Sequence, residues 1–187
     1  MRKLVGLFAG LAFACVVLSV LPASAGVPYC WFNKGIKEVG ARRWLKAPTQ
    51  VTVPMKTDVH WWIGIQVSPP SWLDAPLENV VVTDRFGAEI EIDRNIYITG
   101  NDWTKLVVTS NGNSQKVFLT WNIGTLSPGD TAILILEISP DHNPANKQEY
   151  TSAGCYELNS GAVLKFTFKG KQYSAYTLPI TVLVVEE

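Results

Sequence analysis

The sequence predicts an all-β fold, a sandwich of short antiparallel strands. Three observations lead there. Runs rich in Val, Ile, Thr and aromatic residues recur along the chain, and these side chains fit a pleated, half-buried surface. Clusters of Gly, Pro, Asn and Asp separate the runs, supplying the preset or positive φ angles that turns need. No stretch after residue 50 repeats its apolar residues with a helical period. Several short strands at such spacing are the pattern of a sandwich, and with no internal repeat or low-complexity linker one domain is expected.

The elements follow in order. Arg2 and Lys3 precede an apolar run from Leu4 to Leu21, and Ala23-Ser24-Ala25 supplies small residues for cleavage before Gly26, so residues 1–25 read as a signal peptide and the protein as exported. A retained membrane anchor is the competing reading, since the run is about long enough to span. Residues 26–46 read as a less regular N-terminal arm, with a short helix expected around Lys34 to Leu45. The sandwich then occupies 47–187. Strands are expected at Gln50–Val53, Val59–Val67, Asn79–Asp84, Ala88–Asp93, Ile96–Thr99, Leu106–Ser110, Lys116–Asn122, Thr131–Ile138, Ala162–Phe168 and Tyr173–Val185. Breaks fall at Pro69-Pro70, Asn111-Gly112-Asn113, Pro128-Gly129-Asp130, Pro140 to Pro144, Asn159-Ser160-Gly161 and Lys169-Gly170-Lys171.

Charge and cysteine usage narrow the function. The 187 residues carry 16 Lys plus Arg and 16 Asp plus Glu, so no overall excess recommends nucleic acid as partner. The distribution is uneven, however. Lys34, Lys37, Arg42, Arg43, Lys46 and Lys56 gather in one segment, and Asp74, Glu78, Asp84, Glu89, Glu91 and Asp93 in another. Such patches either meet, within one molecule or head to tail between copies, or remain two solvated faces screened by salt. Of the three cysteines, Cys15 leaves with the signal, so Cys30 and Cys155 are the expected disulfide in an oxidising compartment. Two free or intermolecularly paired thiols are the alternative. Closing so long a loop restrains the unfolded chain by about 4–5 kcal/mol in the chain-entropy model.

One segment has a construction of its own. Val117, Leu119 and Trp121 fall on one face of a strand, Gly124 permits a backbone conformation closed to other residues, and Pro128-Gly129 presets a turn. Ala132, Leu134 and Leu136 then alternate with Ile133 and Ile135 along the next strand. This is a core-building hairpin, and Trp121 reads as core. Together with Asn79-Val80-Val81-Val82-Thr83-Asp84, the stretch Trp121-Asn122-Ile123-Gly124-Thr125-Leu126-Ser127-Pro128-Gly129-Asp130-Thr131 resembles the DUF11 family of prokaryotic cell-surface domains. The resemblance covers roughly residues 58–168 and rests on Asp84, Trp121, Gly124, Leu126, Pro128 and Gly129. It implies an immunoglobulin-like sandwich in a secreted or surface protein, and no catalytic residues to carry over.

Two constellations suggest ligands. Alternation along His60-Trp61-Trp62-Ile63-Gly64-Ile65-Gln66-Val67 sends Trp61, Ile63, Ile65 and Val67 to one face and Trp62 to the other. Trp62, joined by Trp72 and Trp103 from loops, is a candidate glycan platform, because flat aromatic faces bury sugar C–H surface. The plainer reading lays Trp62 on the sheet under the N-terminal arm. Glu89, Glu91 and Asp93 share one face of a strand, as candidate calcium ligands, as a carboxylate pair for glycoside hydrolysis, or as an ordinary solvated face. There is no G-x-S-x-G turn, C-x-x-C pair or phosphate-cradling glycine loop, and His60 and His142 are far apart. The expectation is a secreted, non-enzymatic structural or adhesive module of the cell surface or extracellular matrix, without a cofactor. Its partners would be other copies of itself, by docking of an edge strand or of the arm, other surface proteins, or a wall or extracellular glycan. A carbohydrate-binding module is the alternative.

Overall fold

A computed structural model describes residues 31–55, 59–87, 90–111, 116–140 and 152–186. The signal segment, Cys30, Lys56, Ala88, Glu89, Gly112-Asn113 and His142 lie outside the described residues, as does most of the expected Pro140 to Pro144 turn. Thirteen strands follow in chain order: β1 (Phe32–Glu38), β2 (Leu45–Lys46), β3 (Thr49–Pro54), β4 (Trp61–Val67), β5 (Leu77–Arg85), β6 (Ile90–Ile98), β7 (Leu106–Asn111), β8 (Lys116–Leu126), β9 (Ala132–Pro140), β10 (Gly154–Asn159), β11 (Val163–Phe168), β12 (Lys171–Tyr176) and β13 (Ile180–Val185). They form a five-stranded sheet ordered β2-β1-β4-β9-β6, a second ordered β12-β11-β5-β8-β7, and a three-stranded sheet β10-β13-β3. The β13–β3 pair is parallel; the other described pairings are antiparallel. The architecture is the immunoglobulin-like β-sandwich that the sequence predicts.

Alternation builds its core. Trp61, Ile63, Ile65 and Val67 of β4 and Ala132, Leu134, Leu136 and Ile138 of β9 point inward, opposite Val80 and Val82 of β5 and Leu119 and Trp121 of β8, and all join one apolar cluster. Full burial of side chains this size stabilises by about 1.5–3 kcal/mol each. The hairpin motif behaves as its residues dictate. Trp121 is buried, Gly124 takes φ 90° at a bulge opposite Val80, and Gly129 takes φ 85° while its N–H donates to the Pro69 carbonyl at 2.9 Å.

Four expectations need correction. The helix around Lys34 to Leu45 is absent: residues 32–38 are a strand paired along their whole length with β4, residue 32 opposite 67 and residue 38 opposite 61. Phe32, Lys34 and Ile36 alternate inward there, and the lysine in that series hid the period of two. The separate strands expected at 88–93 and 96–99 are one strand, β6, carried through two bulges against β9. The single strand expected over 173–185 is two, β12 and β13, divided at Thr177-Leu178-Pro179, where proline has no N–H for a ladder. The unexpected β10 has a composition poor in β-branched residues and is held as a strand by its pairing with β13.

Candidate functional site

Two places concentrate chemistry, one on the outer face of the β2-β1-β4-β9-β6 sheet and one inside the sandwich. On the outer face, register aligns side chains into rows. Lys37 lies opposite Trp62, Trp62 opposite Glu137, and Glu137 opposite Arg94. The Lys37 ammonium sits 4.3 Å from the Trp62 ring centre and 5.4 Å from that of Trp44, within cation–π range. The Trp62 indole N–H donates to Glu137 Oε2 at 3.1 Å, and one Arg94 nitrogen donates to both Glu137 oxygens at 2.7 and 2.9 Å.

The next row is built for a tryptophan. Gly35 and Gly64 face each other across β1 and β4, and the Trp44 ring lies over both: a Cβ on Gly64 would meet Trp44 at 3.0 Å, and one on Gly35 would meet it at 3.6 Å. Continuing the row, Gly64 lies opposite Ile135 and Ile135 opposite Tyr97. A shallow groove of about 330 Å³ runs here between Trp44, Lys46, Gln66, Ile133 and Ile135.

The three tryptophans sit in different surroundings. Trp62 carries the Lys37 ammonium of β1 over its ring. Trp72 is 64% exposed in the β4–β5 connection, beyond Val67, five residues of extended strand or about 17 Å from Trp62. Trp103 stands in the turn between β6 and β7 and packs against the core.

The acidic strand is likewise rearranged. A bulge between Ile92 and Arg94 displaces Asp93, which accepts from Ser139 Oγ at 3.0 Å and lies 3.2 Å from His60 Nδ1. Glu91 lies opposite Ser139 on β9, and Glu89 lies outside the described residues. His60, Asp93 and Glu137 bring one ligand atom each within 4.8 Å of one another, but both Glu137 oxygens already accept from Arg94.

Glu137 sets a pH dependence. The Arg94 guanidinium first, and the Trp62 N–H in addition, hold its carboxyl below the usual glutamate range against the opposing effect of burial. A folded-state pKa below the unfolded one gives stability that is present above the unfolded value and lost as pH falls through the folded one. Denaturant midpoints taken from neutral to acid pH should therefore decline below the glutamate range, and Glu137→Gln should flatten that limb.

The second place is fully enclosed. Lys34 points inward from β1, and its Nζ donates to Asp84 Oδ2 at 2.8 Å; both side chains have zero exposure. The other carboxyl oxygen, Oδ1, accepts from Asn159 Nδ2 at 2.8 Å and from the Arg85 backbone N–H at 2.9 Å. Asn159, itself wholly buried, accepts at its Oδ1 from the Gly161 N–H at 2.8 Å. Phe86 walls the site, its ring centre 5.9 Å from the lysine nitrogen. Burial pushes the Lys34 pKa down, opposed in part by Asp84. Three residues from three sheets thus meet at one carboxyl group. The sequence marked Asp84 as a motif position and a member of the acidic segment, Lys34 as a member of the basic segment and Asn159 as part of a turn, without bringing the three together. The one signal was a lysine at an inward position of an alternating strand.

Cys155 is exposed on β10 with no disulfide partner among the described residues, and its sulfur accepts from Gln50 Nε2 at 3.5 Å. Its expected partner Cys30 lies outside the described residues. No helix among the described residues is long and apolar enough to cross a membrane.

No family model matches the chain. An uncharacterised protein of Archaeoglobus fulgidus is 30% identical over 115 residues, which are 61% of this chain and 38% of that protein. Among solved structures, domains D2 and D3 of the major pilin SpaD from Corynebacterium diphtheriae superpose with a TM-score of 0.48 at 12% identity, over 80% of this chain and 51% of that one. BcpA, the major pilin subunit of Bacillus cereus, does so with a TM-score of 0.44 at 18% identity, over 73% of this chain and 37% of that one. The chain therefore spans well under two thirds of each of these proteins.

Proposed function

We propose that the protein is an exported, non-enzymatic structural or adhesive module of the cell surface or extracellular matrix, related to the DUF11 domains, whose copies associate head to tail through opposite edges of one sheet. The observation that supports this is where the charges fall. Lys34 and Asp84, one from each charged segment, cancel in the interior. Of the remainder, Lys37, Arg42, Arg43 and Lys46 lie on β1, β2 and their connection, against Glu38 alone. Glu91 and Asp93 lie on β6, where Arg94 is bonded to Glu137. β2 and β6 are the two edges of the same five-stranded sheet, four strand spacings or about 19 Å apart. Unlike patches at opposite ends of a rigid body give a heterologous contact, which propagates, and complementarity fixes its register.

Association of this kind uses the folded edges as they stand. β1 lies between β2 and β4 of its own chain, so donating it to a neighbour would break two pairings first. β2 is only two residues long and β6 carries two bulges, features that blunt backbone pairing at an edge and leave charge to choose the partner. Light-scattering mass of the purified mature protein, across protein concentration, should rise at low salt and fall back to the monomer at high salt. Arg42→Glu/Arg43→Glu should stay monomeric throughout. A wild-type chain that is monomeric at every salt concentration would count decisively against the reading. Titration with soluble glycans should leave tryptophan fluorescence unchanged; a saturable shift would favour a carbohydrate-binding module instead.

A further inference from the structure

We propose that Lys34 and Asn159 become joined by a covalent amide bond between their side chains, formed by the protein itself with Asp84 as the proton carrier. Such a bond is independent of the assembly and depends on the enclosed site alone. An amine condenses with a carboxamide when four conditions hold together: an uncharged nitrogen, a held carbonyl carbon, a group that moves the proton, and the exclusion of water.

Each is present. Lys34 Nζ and Asn159 Nδ2 are each one 2.8 Å hydrogen bond from the same carboxyl group, on its two different oxygens, so Asp84 can accept a proton from one nitrogen and return it to the other. The Asn159 carbonyl oxygen already accepts from the Gly161 N–H at 2.8 Å, a donor placed to stabilise negative charge as it develops there. Backbone bonds fix the asparagine on both sides: the Gly87 N–H donates to the Leu158 carbonyl at 3.0 Å and the Ser160 N–H to the Arg85 carbonyl at 3.1 Å. The side chains of Lys34 and Asp84 are closed to solvent and Asn159 is wholly buried, so water does not compete for the reacting carbon. Burial also disfavours the ammonium form of Lys34, which leaves the nitrogen lone pair available once the proton passes to Asp84.

The step balances without any co-reactant. Lys34 Nζ adds to Asn159 Cγ; Asp84 carries a proton from Nζ to Nδ2; the Cγ–Nδ2 bond breaks and ammonia leaves. One amide replaces another and nothing is oxidised or reduced. The product ties β1 of one sheet to the end of β10 in another, and it removes a buried ion pair whose desolvation is costly.

The test is the mass of the purified full chain, denatured and reduced, followed by a tryptic map. Reduction is needed because Cys30 and Cys155 lie on the same two tryptic peptides as Lys34 and Asn159. The expected result is a deficit of one ammonia, about 17 Da, no cleavage after Lys34, and a branched peptide joining the Lys34 and Asn159 segments. Lys34→Met and Asp84→Asn should each show the full mass of their own sequences. A wild-type chain of full mass, cleaved normally after Lys34, overturns the proposal. So does the same deficit mapped to Asn111-Gly112, where a succinimide would form. Ammonia loss that persists in Asp84→Asn overturns the role given to Asp84.

Discussion

Relative to the chain in which the Lys34–Asn159 bond has not formed, Asp84→Ala is expected to lower the unfolding free energy by about 3–5 kcal/mol, the range for breaking a buried ion pair from one side, and to cost more than Lys34→Met. The two partners are not equivalent. Without Asp84, Lys34 loses its hydrogen-bond and ionic partner together, and its nitrogen stays in a site closed to water. Without Lys34, the Asp84 carboxyl still accepts from Asn159 and from the Arg85 N–H. Both variants prevent the Lys34–Asn159 bond, so the difference between them isolates the orphaned group rather than the covalent link. Denaturant titration of the two single variants and of Lys34→Met/Asp84→Ala measures it, and the double variant should be no less stable than Asp84→Ala alone. Equal losses in the two single variants would show that the lysine nitrogen finds another partner, and would remove the basis for treating this carboxyl as the centre of the site.

The second large effect is expected at Gly161. It takes φ 96°, and a Cβ there would lie 2.4 Å from the Thr177 carbonyl oxygen. A side chain at such a φ costs about 1–2 kcal/mol, and relieving a backbone overlap costs about 1–3 kcal/mol more. Gly161→Ala should therefore lose about 3 kcal/mol and displace the N–H that holds Asn159. Gly170→Ala is the control: its φ is 74° with nothing within 4 Å of the added Cβ, so only the backbone term applies, about 1 kcal/mol. Thermal unfolding of the two variants side by side gives the comparison, and similar losses would mean that the loop at Thr177 yields freely.

Legibility differed from element to element for physical reasons. β4, β8 and β9 were readable because their inward residues are uniformly large and apolar, so period-two alternation is strong. β1 was hidden by Lys34, whose inward position is tolerable only because Asp84, fifty residues later, meets it. β10 was hidden because its strand character comes from pairing with β13 rather than from its own side chains. Trp62 stood out as an aromatic on the sheet's outer face, but its cover depends on Lys37 being its register partner across β1 and β4.

The candidate site shows the same division. Composition and the turn-punctuated alternation by themselves determined an all-β chain, because burial periodicity and turn chemistry are local properties. Which residues meet was decided only by the tertiary structure. Lys34, Asp84 and Asn159 come from three different sheets, and no local pattern encodes a distance between strands that are remote in sequence. The two charged segments likewise reveal their arrangement only once folding withdraws Lys34 and Asp84 into the core and sets Lys46 and Glu91 on the two edge strands of one sheet.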